Sequence, residues 1–374
     1  MRLWGKIEFC NSVFFCYTVS VMVSLQKIFK DNWDDFVKVN AARPIVDFEI
    51  RKVIDCGEIH KGFILYECNC GKFKIVPFRC KSRVCNCCGY QYQKFRAEKV
   101  KSKLINCNHR HLVFTIAEEL RIYFYRNRKL LNLLFKSAAD TISQWLLSRN
   151  KAQKLTCGMI SNLHTFGRDL KWNPHIHMLI SMCAQGVNVP YKKFDFIPFE
   201  MLRKRFMTAL LFNLKEFIPK LLVNKLYIGK NNGFYVYAYA KITNSDDVID
   251  YMVRYIGRPV IAQKRILKYE NNLVTFCYNR HEDNKYIEET LPVFEFIKKV
   301  IIHIPDKYFN MIRYYGLYAK KHSLRLLNKK LPQHLERQLK LWHIRIQLSF
   351  NYHPLKCACG QLMKYTTTVF PNSS

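Results

Sequence analysis

Asn173-Pro174-His175-Ile176-His177-Met178-Leu179-Ile180 reads as a β-strand, with a proline at its mouth followed by β-branched and long apolar residues. Residues two apart on a strand share a face, roughly 7 Å apart at a rise of about 3.3 Å per residue. His175 and His177 therefore point one way, and Ile176, Met178 and Ile180 the other. The apolar set calls for helices packed on one side of the sheet. The two imidazoles on the other side are a ready pair of ligands for a divalent metal, to be completed by a third group from elsewhere in the chain. Two hydrogen-bonded histidines in a polar rim would use the same short pattern, so the rest of the chain decides between the two.

Lysine plus arginine number 61 against 28 aspartate plus glutamate, a formal net charge of +33 over 374 residues. The excess runs along the whole length, and a field of that sign attracts polyanions, nucleic acid first. An anionic membrane is the alternative target, but no long basic amphipathic segment stands out. An apolar fraction of 49% excludes a disordered chain, and the length allows two or three domains. No run reaches the ~18 apolar residues of a membrane span. Met1 to Leu25 has a basic start and an apolar run, Val13 to Val23, like a signal sequence, yet no small-x-small cleavage pattern follows. Residues 1–21 are therefore expected to be an upstream extension or disordered, with translation starting at Met22.

Of the 15 cysteines, eight fall between Cys56 and Cys107. Tight spacing of this kind in a large basic chain favours metal over disulfides, and a reducing cytosol. The chain reads Cys68-Asn69-Cys70-Gly71, then Cys80-Lys81-Ser82-Arg83-Val84-Cys85-Asn86-Cys87-Cys88-Gly89. Two close cysteine groups, each on a tight turn followed by glycine, are what a tetrahedral zinc site needs. Cys68, Cys70, Cys80, Cys85 and Cys88 are the candidate ligands, with Cys56 in reserve. Which four bind is open. Phe78, Arg79, Lys81, Ser82 and Arg83 decorate the loop with groups suited to phosphate. Cys357-Ala358-Cys359-Gly360 near the end has the spacing of half of a second metal site.

An amphipathic helix covers Leu25 to Val37, and His111 to Ile116 is a strand. Leu120 to Leu155 reads as mostly helix, Met159 to Phe166 as a strand carrying His164, and Phe196 to Leu222 as mostly helix. Phe234 to Ile242 alternates, with Tyr235, Tyr237 and Tyr239 on one face, a row able to stack bases. Asp246 to Arg258 is a helix ended by Pro259. Arg265 to Tyr269 and Leu273 to Tyr278 form a hairpin. Leu291 to Ile304 and Tyr308 to Leu348 read as mainly helical, broken near Gly316 and Pro332.

On the helix Asp246–Arg258, Tyr251 and Tyr255 stand four apart on one face, with Asp247 a turn earlier and Arg254 and Arg258 in a neighbouring stripe. A tyrosine hydroxyl with a pKa near 10 is a poor nucleophile unless its target is activated. A metal on His175 and His177 can polarise a phosphate while arginines hold its other oxygens. Attack by tyrosine on a phosphodiester follows as the chemistry these groups share.

Several blocks, in order, resemble the rolling-circle transposases of the insertion-sequence ninety-one family, which carry two tyrosines and a His-apolar-His motif. These blocks are the cysteine cluster, the strand His111–Ile116, Leu163 to Leu170, and Pro174-His175-Ile176-His177. Tyr251-Met252-Val253-Arg254-Tyr255-Ile256-Gly257-Arg258-Pro259 and Ile312-Arg313-Tyr314-Tyr315-Gly316 follow. The resemblance covers about residue 25 to the end. It implies an α+β fold: an HUH-endonuclease-like antiparallel sheet flanked by helices, after a small cysteine-rich zinc-binding domain. It further implies Mg or Mn on the histidines, and cleavage of single-stranded DNA with capture as a 5′-phosphotyrosine on Tyr251 or Tyr255. The third metal ligand is not given by it; His164 is the first choice and Asp247 the second. Arg83, Arg168, Arg254 and Arg258 are the candidate contacts to DNA phosphate. Asn173, where many relatives have histidine, and the C-x-C at Cys68/Cys70, where relatives have C-x-x-C, are departures.

The expected organisation is 1–21 as above, 22–108 as an N-terminal helix plus zinc-binding domain, 109–320 as the catalytic domain and 321–374 as a basic C-terminal region. The expected partner is single-stranded DNA at element ends and target, in a bacterial cytoplasm at the nucleoid, with no membrane. A plasmid replication initiator or relaxase, and a non-catalytic zinc-ribbon DNA-binding relic, are the alternative readings.

Overall fold

The computed structural model describes residues 7–9, 24–101, 104–194, 196–238, 259–280, 282–319 and 341–371. The elements of the first half are β1 (Ile7–Phe9), α1 (Leu25–Val39), α2 (Pro44–Ile54), β2 (Phe63–Glu67), β3 (Phe73–Pro77), α3 (Asn86–Lys101), β4 (His109–Thr115), α4 (Arg121–Arg126), α5 (Leu131–Arg149), β5 (Thr156–Phe166) and β6 (Trp172–Gly186). The second half adds β7 (Val189–Lys193), α6 (Phe199–Leu214), α7 (Lys220–Gly229), β8 (Val236–Ala238), β9 (Ile266–Glu270), β10 (Leu273–Asn279), β11 (Tyr286–Pro292), α8 (Val293–Ile301), β12 (Ile312–Gly316), α9 (Trp342–Phe350) and β13 (Lys364–Val369). The chain is α+β and divides into two units. One comprises Met1–Arg96, Gly257–Ile304 and Leu331–Ser374, and the other Ala97–Ile256 and Pro305–Lys330.

In the second unit the strand order is β12-β5-β6-β4-β8, with β7 also pairing β6, and every pairing is antiparallel. Alternation along β6 places Ile176, Met178 and Ile180 in the main core, each fully buried. Leu134, Phe135, Ala138, Ile142 and Trp145 of α5 and Phe206, Leu210 and Leu214 of α6 cover that face. Fully burying a side chain of the Leu, Ile or Phe class contributes about 1.5–3 kcal/mol, so this one-sided packing holds the register of β6 firmly. The opposite face carries a smaller core at one end, with Ile160, Leu179, Leu317 and Tyr318, and the histidines at the other.

The first unit begins with α1, whose Ser24 side chain accepts from the Lys27 backbone N–H at 3.0 Å, an N-cap. Leu25, Ile28, Phe29, Trp33 and Phe36 form its buried stripe. Trp33 Nε1 donates to Asp47 Oδ1 on α2 at 2.8 Å, and Phe36 meets Phe294 of α8 edge-on at 5.5 Å. Two sheets complete this unit, one ordered β1-β3-β2-β13 and one ordered β11-β10-β9.

Three expectations change. Ile312–Gly316, read as helix, is a strand antiparallel to β5, because its β-prone Ile-Arg-Tyr-Tyr run fills the open sheet edge beside residues 158–162. Leu291, assigned to a helix, closes strand β11 against β10, and the helix starts at Val293. The described part of the expected C-terminal region is not separate: β13 pairs antiparallel with β2 in the first unit. Within the expected extension 1–21, Ile7–Phe9 pairs parallel with β3 and the rest lies outside the described residues. Tyr239 and the expected helix with Asp247, Tyr251, Arg254, Tyr255 and Arg258 also lie outside them.

Candidate metal centres

His175 and His177 sit on β6, and His164 stands directly opposite His175 on β5. One ring nitrogen from each of the three lies within 4.8 Å of the others. The Nε2 atoms of His175 and His177 are 3.1 Å apart. Cis nitrogens about 2.1 Å from an octahedral cation stand about 3.0 Å apart, so this spacing fits a shared divalent metal. His164 and His177 are almost fully buried and His175 is half-buried.

Hydrogen bonds orient these rings. His175 Nδ1–H donates to the Asn173 carbonyl at 2.7 Å, which leaves the Nε2 lone pair for a metal. His177 Nδ1 meets His111 Nε2 at 2.9 Å, the two rings stacked 5.1 Å apart. With the lone pair of His177 Nε2 on a metal, its Nδ1–H donates to His111, the outer partner a ligating histidine requires. Desolvation lowers the pKa of His175 to about 4, an effect the Asn173 carbonyl opposes and Arg121 adds to. His111 falls to about 3, through burial and then the nearby His175. Both rings are therefore neutral at pH 7, the form in which His175 can bind metal and His111 can accept from the His177 Nδ1–H.

The same face carries more. Val113 of β4 pairs with His177 on one side and Tyr237 of β8 on the other. Tyr235 and Tyr237 are exposed and stacked, with centroids 6.1 Å apart and planes 6° from parallel. Val236 between them points into the core. The Arg203 guanidinium lies 5.9 Å from the Tyr235 ring.

The cysteines form two clusters. Cys56, Cys80, Cys85 and Cys88 have sulfurs within 4.8 Å of one another, as do Cys68, Cys70, Cys357 and Cys359. In the first, backbone N–H groups of Cys80, Ser82 and Cys88 donate to the sulfurs of Cys56, Cys80 and Cys85 at 3.5, 3.4 and 3.5 Å. Such bonds stabilise thiolates, the form that zinc binds. Arg79 belongs to this cluster. Burial works against its charge, but the Cys56, Cys88 and Cys85 sulfurs outweigh that and raise its pKa.

The expected set Cys68, Cys70, Cys80, Cys85 and Cys88 is thus divided: Cys56 is a full member of the first group, and Cys68 and Cys70 belong elsewhere. Two residues expected to face phosphate have other partners, since Arg79 serves the cysteines and buried Ser82 donates to Glu49 Oε2 at 2.6 Å. Arg83 is half-buried, and Arg168 is exposed in the turn between β5 and β6. Residues not anticipated at the histidine site are His111, whose β4 position was visible but not its partner, and Arg121, which acts on His175 across the fold.

Residues 158–325, which contain all three histidines of the cluster, match a family described as "Putative transposase". Residues 28–116, which contain Cys56, Cys80, Cys85 and Cys88, match the "Transposase zinc-binding domain". The "Transposase for insertion sequence element IS801" of Pseudomonas savastanoi pv. phaseolicola is 28% identical, over 92% of this chain and 90% of its own. The "Putative transposase y4qJ" of Sinorhizobium fredii is 25% identical, over 68% of this chain and 69% of its own. No solved structure gives a significant match. No helix among the described residues is long and apolar enough to cross a membrane. Both families are matched in order along one chain, and a transposase is similar over nearly its whole length; together these matches support an insertion-sequence ninety-one family transposase with a zinc-binding domain near its N-terminus.

Proposed function

We propose that the chain cuts and rejoins single-stranded DNA for rolling-circle movement of its element, using an HUH-endonuclease site built on His164, His175 and His177. The observation that carries this reading is the meeting of three histidine nitrogens on β5 and β6. Mg or Mn held there supplies Lewis-acid polarisation of the scissile phosphate. Arg168, Arg254 and Arg258 hold other phosphate oxygens, and Tyr235 and Tyr237 stack bases of the unpaired strand.

The phenol oxygen of Tyr251 or Tyr255 attacks phosphorus. A tyrosine–phosphate bond forms at the 5′ side, the bond to the 3′ oxygen breaks, and that oxygen leaves protonated, balancing the proton lost by the phenol. The phosphotyrosine keeps the energy of the broken bond, so a 3′-hydroxyl can reverse the attack without ATP. Two tyrosines four residues apart in the sequence let one strand end be held while a second is cut.

The test is a denaturing gel of labelled single-stranded DNA carrying an element end. The covalent adduct should form with Mg or Mn and vanish in His175→Ala/His177→Ala, while salt-sensitive binding persists. Either single Tyr→Phe change should still nick once, and Tyr251→Phe/Tyr255→Phe should form no adduct. An adduct surviving the double tyrosine change would give the nucleophile to another residue.

A further inference from the structure

We infer that Cys68, Cys70, Cys357 and Cys359 form a second, separate zinc site that builds the C-terminal strand into the N-terminal zinc unit. The matched zinc-binding segment ends at residue 116, so half of this site lies beyond it. Cys68 and Cys359 sulfurs are 3.4 Å apart and Cys70 and Cys357 sulfurs 3.6 Å apart, across 291 and 287 residues of chain. A tetrahedron with Zn–S bonds of about 2.3 Å has edges of about 3.8 Å. These spacings suit that tetrahedron and are far longer than the ~2.05 Å of a disulfide.

The two halves repeat one backbone device. In Cys68-Asn69-Cys70-Gly71-Lys72, the Gly71 N–H donates to the Cys68 carbonyl at 2.8 Å and the Cys68 N–H to the Lys72 carbonyl at 2.9 Å. In Cys357-Ala358-Cys359-Gly360-Gln361, the Gly360 N–H donates to the Cys357 carbonyl at 2.9 Å and the Cys357 N–H to the Gln361 carbonyl at 2.8 Å. Both glycines take positive φ, +78° and +90°, which a side chain would strain. Each turn aims two thiols at one point, and the two turns face each other. Each contributes one buried sulfur, Cys68 or Cys357, and one exposed residue, Cys70 or Cys359.

The surroundings give such a zinc structural work. The core beneath is small, with Tyr66, Leu355 and Met363 beside the two buried cysteines. A cluster of that size supplies little stability alone, and small units make up the difference with a metal. β13 follows directly after the second turn and pairs with β2, which directly precedes the first. The zinc therefore ties one end of each paired strand and closes a loop that contains the whole histidine unit in sequence.

Cys70 and Cys359 supply a direct test, because exposed thiols react fast when free. The full-length chain, purified with zinc as the only added metal and with reductant present, is treated briefly with iodoacetamide and mapped by mass spectrometry. All four cysteines should be protected together and become reactive together on addition of a chelator. Cys357→Ser/Cys359→Ser should lose one zinc per chain relative to the parent, with Cys56, Cys80, Cys85 and Cys88 still protected. Rapid labelling of Cys70 and Cys359 in the zinc-loaded parent would overturn the site, as would unchanged zinc content in the variant. Protection removed by stronger reductant but not by chelator would assign disulfides instead. The parent footprint decides even where the variant fails to fold, and neither measurement depends on nicking.

Discussion

Tyr237 and His177 face the same way on one sheet, each paired directly with Val113 from opposite sides. Strand spacing of about 4.8 Å puts them about 10 Å apart. A strand of nucleic acid whose bases lie on the Tyr235–Tyr237 stack thus has its backbone within reach of the histidines. Stacking on an aromatic ring contributes about 1–3 kcal/mol per base. Tyr235→Ala/Tyr237→Ala is expected to weaken single-stranded DNA binding by that order and leave zinc content intact. Fluorescence anisotropy at fixed salt checks it; unchanged affinity would return the pair to ordinary surface.

His111 holds His177 through the 2.9 Å Nε2–Nδ1 contact. Loss of such an outer partner typically costs about 10- to 100-fold in metal affinity. His111→Ala should weaken Mn binding by that factor and raise the Mn concentration needed for nicking, with its unfolding midpoint reported alongside. An unchanged Mn titration in folded protein refutes the role.

His109 is buried, and its Nε2 meets the Tyr318 hydroxyl at 2.6 Å. Burial lowers its pKa from 6.5 to about 4, against a smaller opposing effect of the Cys107 backbone. Above pH 6.5 neither folded nor unfolded chain protonates this ring. As pH falls from about 6.5 to about 4, the unfolded chain takes up a proton that the folded chain refuses, and stability drops by up to about 3 kcal/mol. Urea unfolding of the histidine-bearing unit should show this acid loss, and His109→Gln should show less of it. Equal acid sensitivity in both proteins would assign it to other groups.

Cys56 completes the first cysteine cluster, with its sulfur 3.6 Å from Cys88 and 3.8 Å from Cys85. Cys56→Ser is therefore expected to release zinc and lower the melting temperature, because structural zinc contributes folding free energy directly. Metal analysis and thermal melts check it. Full zinc retention would reopen the ligand set.

The charge of +33 implies that DNA binding releases many counterions. Affinity for single-stranded DNA should fall steeply and linearly on a log–log plot between about 50 and 200 mM salt, over which six to ten phosphate contacts cost roughly 10³–10⁵ on duplex DNA. A nearly flat plot would mean that the charge serves another end.

Local patterns were legible without coordinates. The alternation along Pro174 to Ile180 set which side chains of β6 enter the core, because a strand repeats every two residues whatever its neighbours are. The stripe on α1 and the C-x-C-G turns were equally visible, since each depends on residues a few positions apart. Pairing across the fold was not. The sequence offered Cys56, Cys68, Cys70, Cys80, Cys85 and Cys88 close together, and chemically equal thiols carry no mark of their partners. Only the pairing of β13 with β2 brings Cys357 and Cys359 to Cys68 and Cys70. Likewise, the register of β4 against β6 and β8, set by burial on the far face, is what places His111 against His177 and Tyr237 in line with it. Residue type and short spacing determined the kinds of site this protein holds; long-range strand register, which no local period encodes, decided which residues share them.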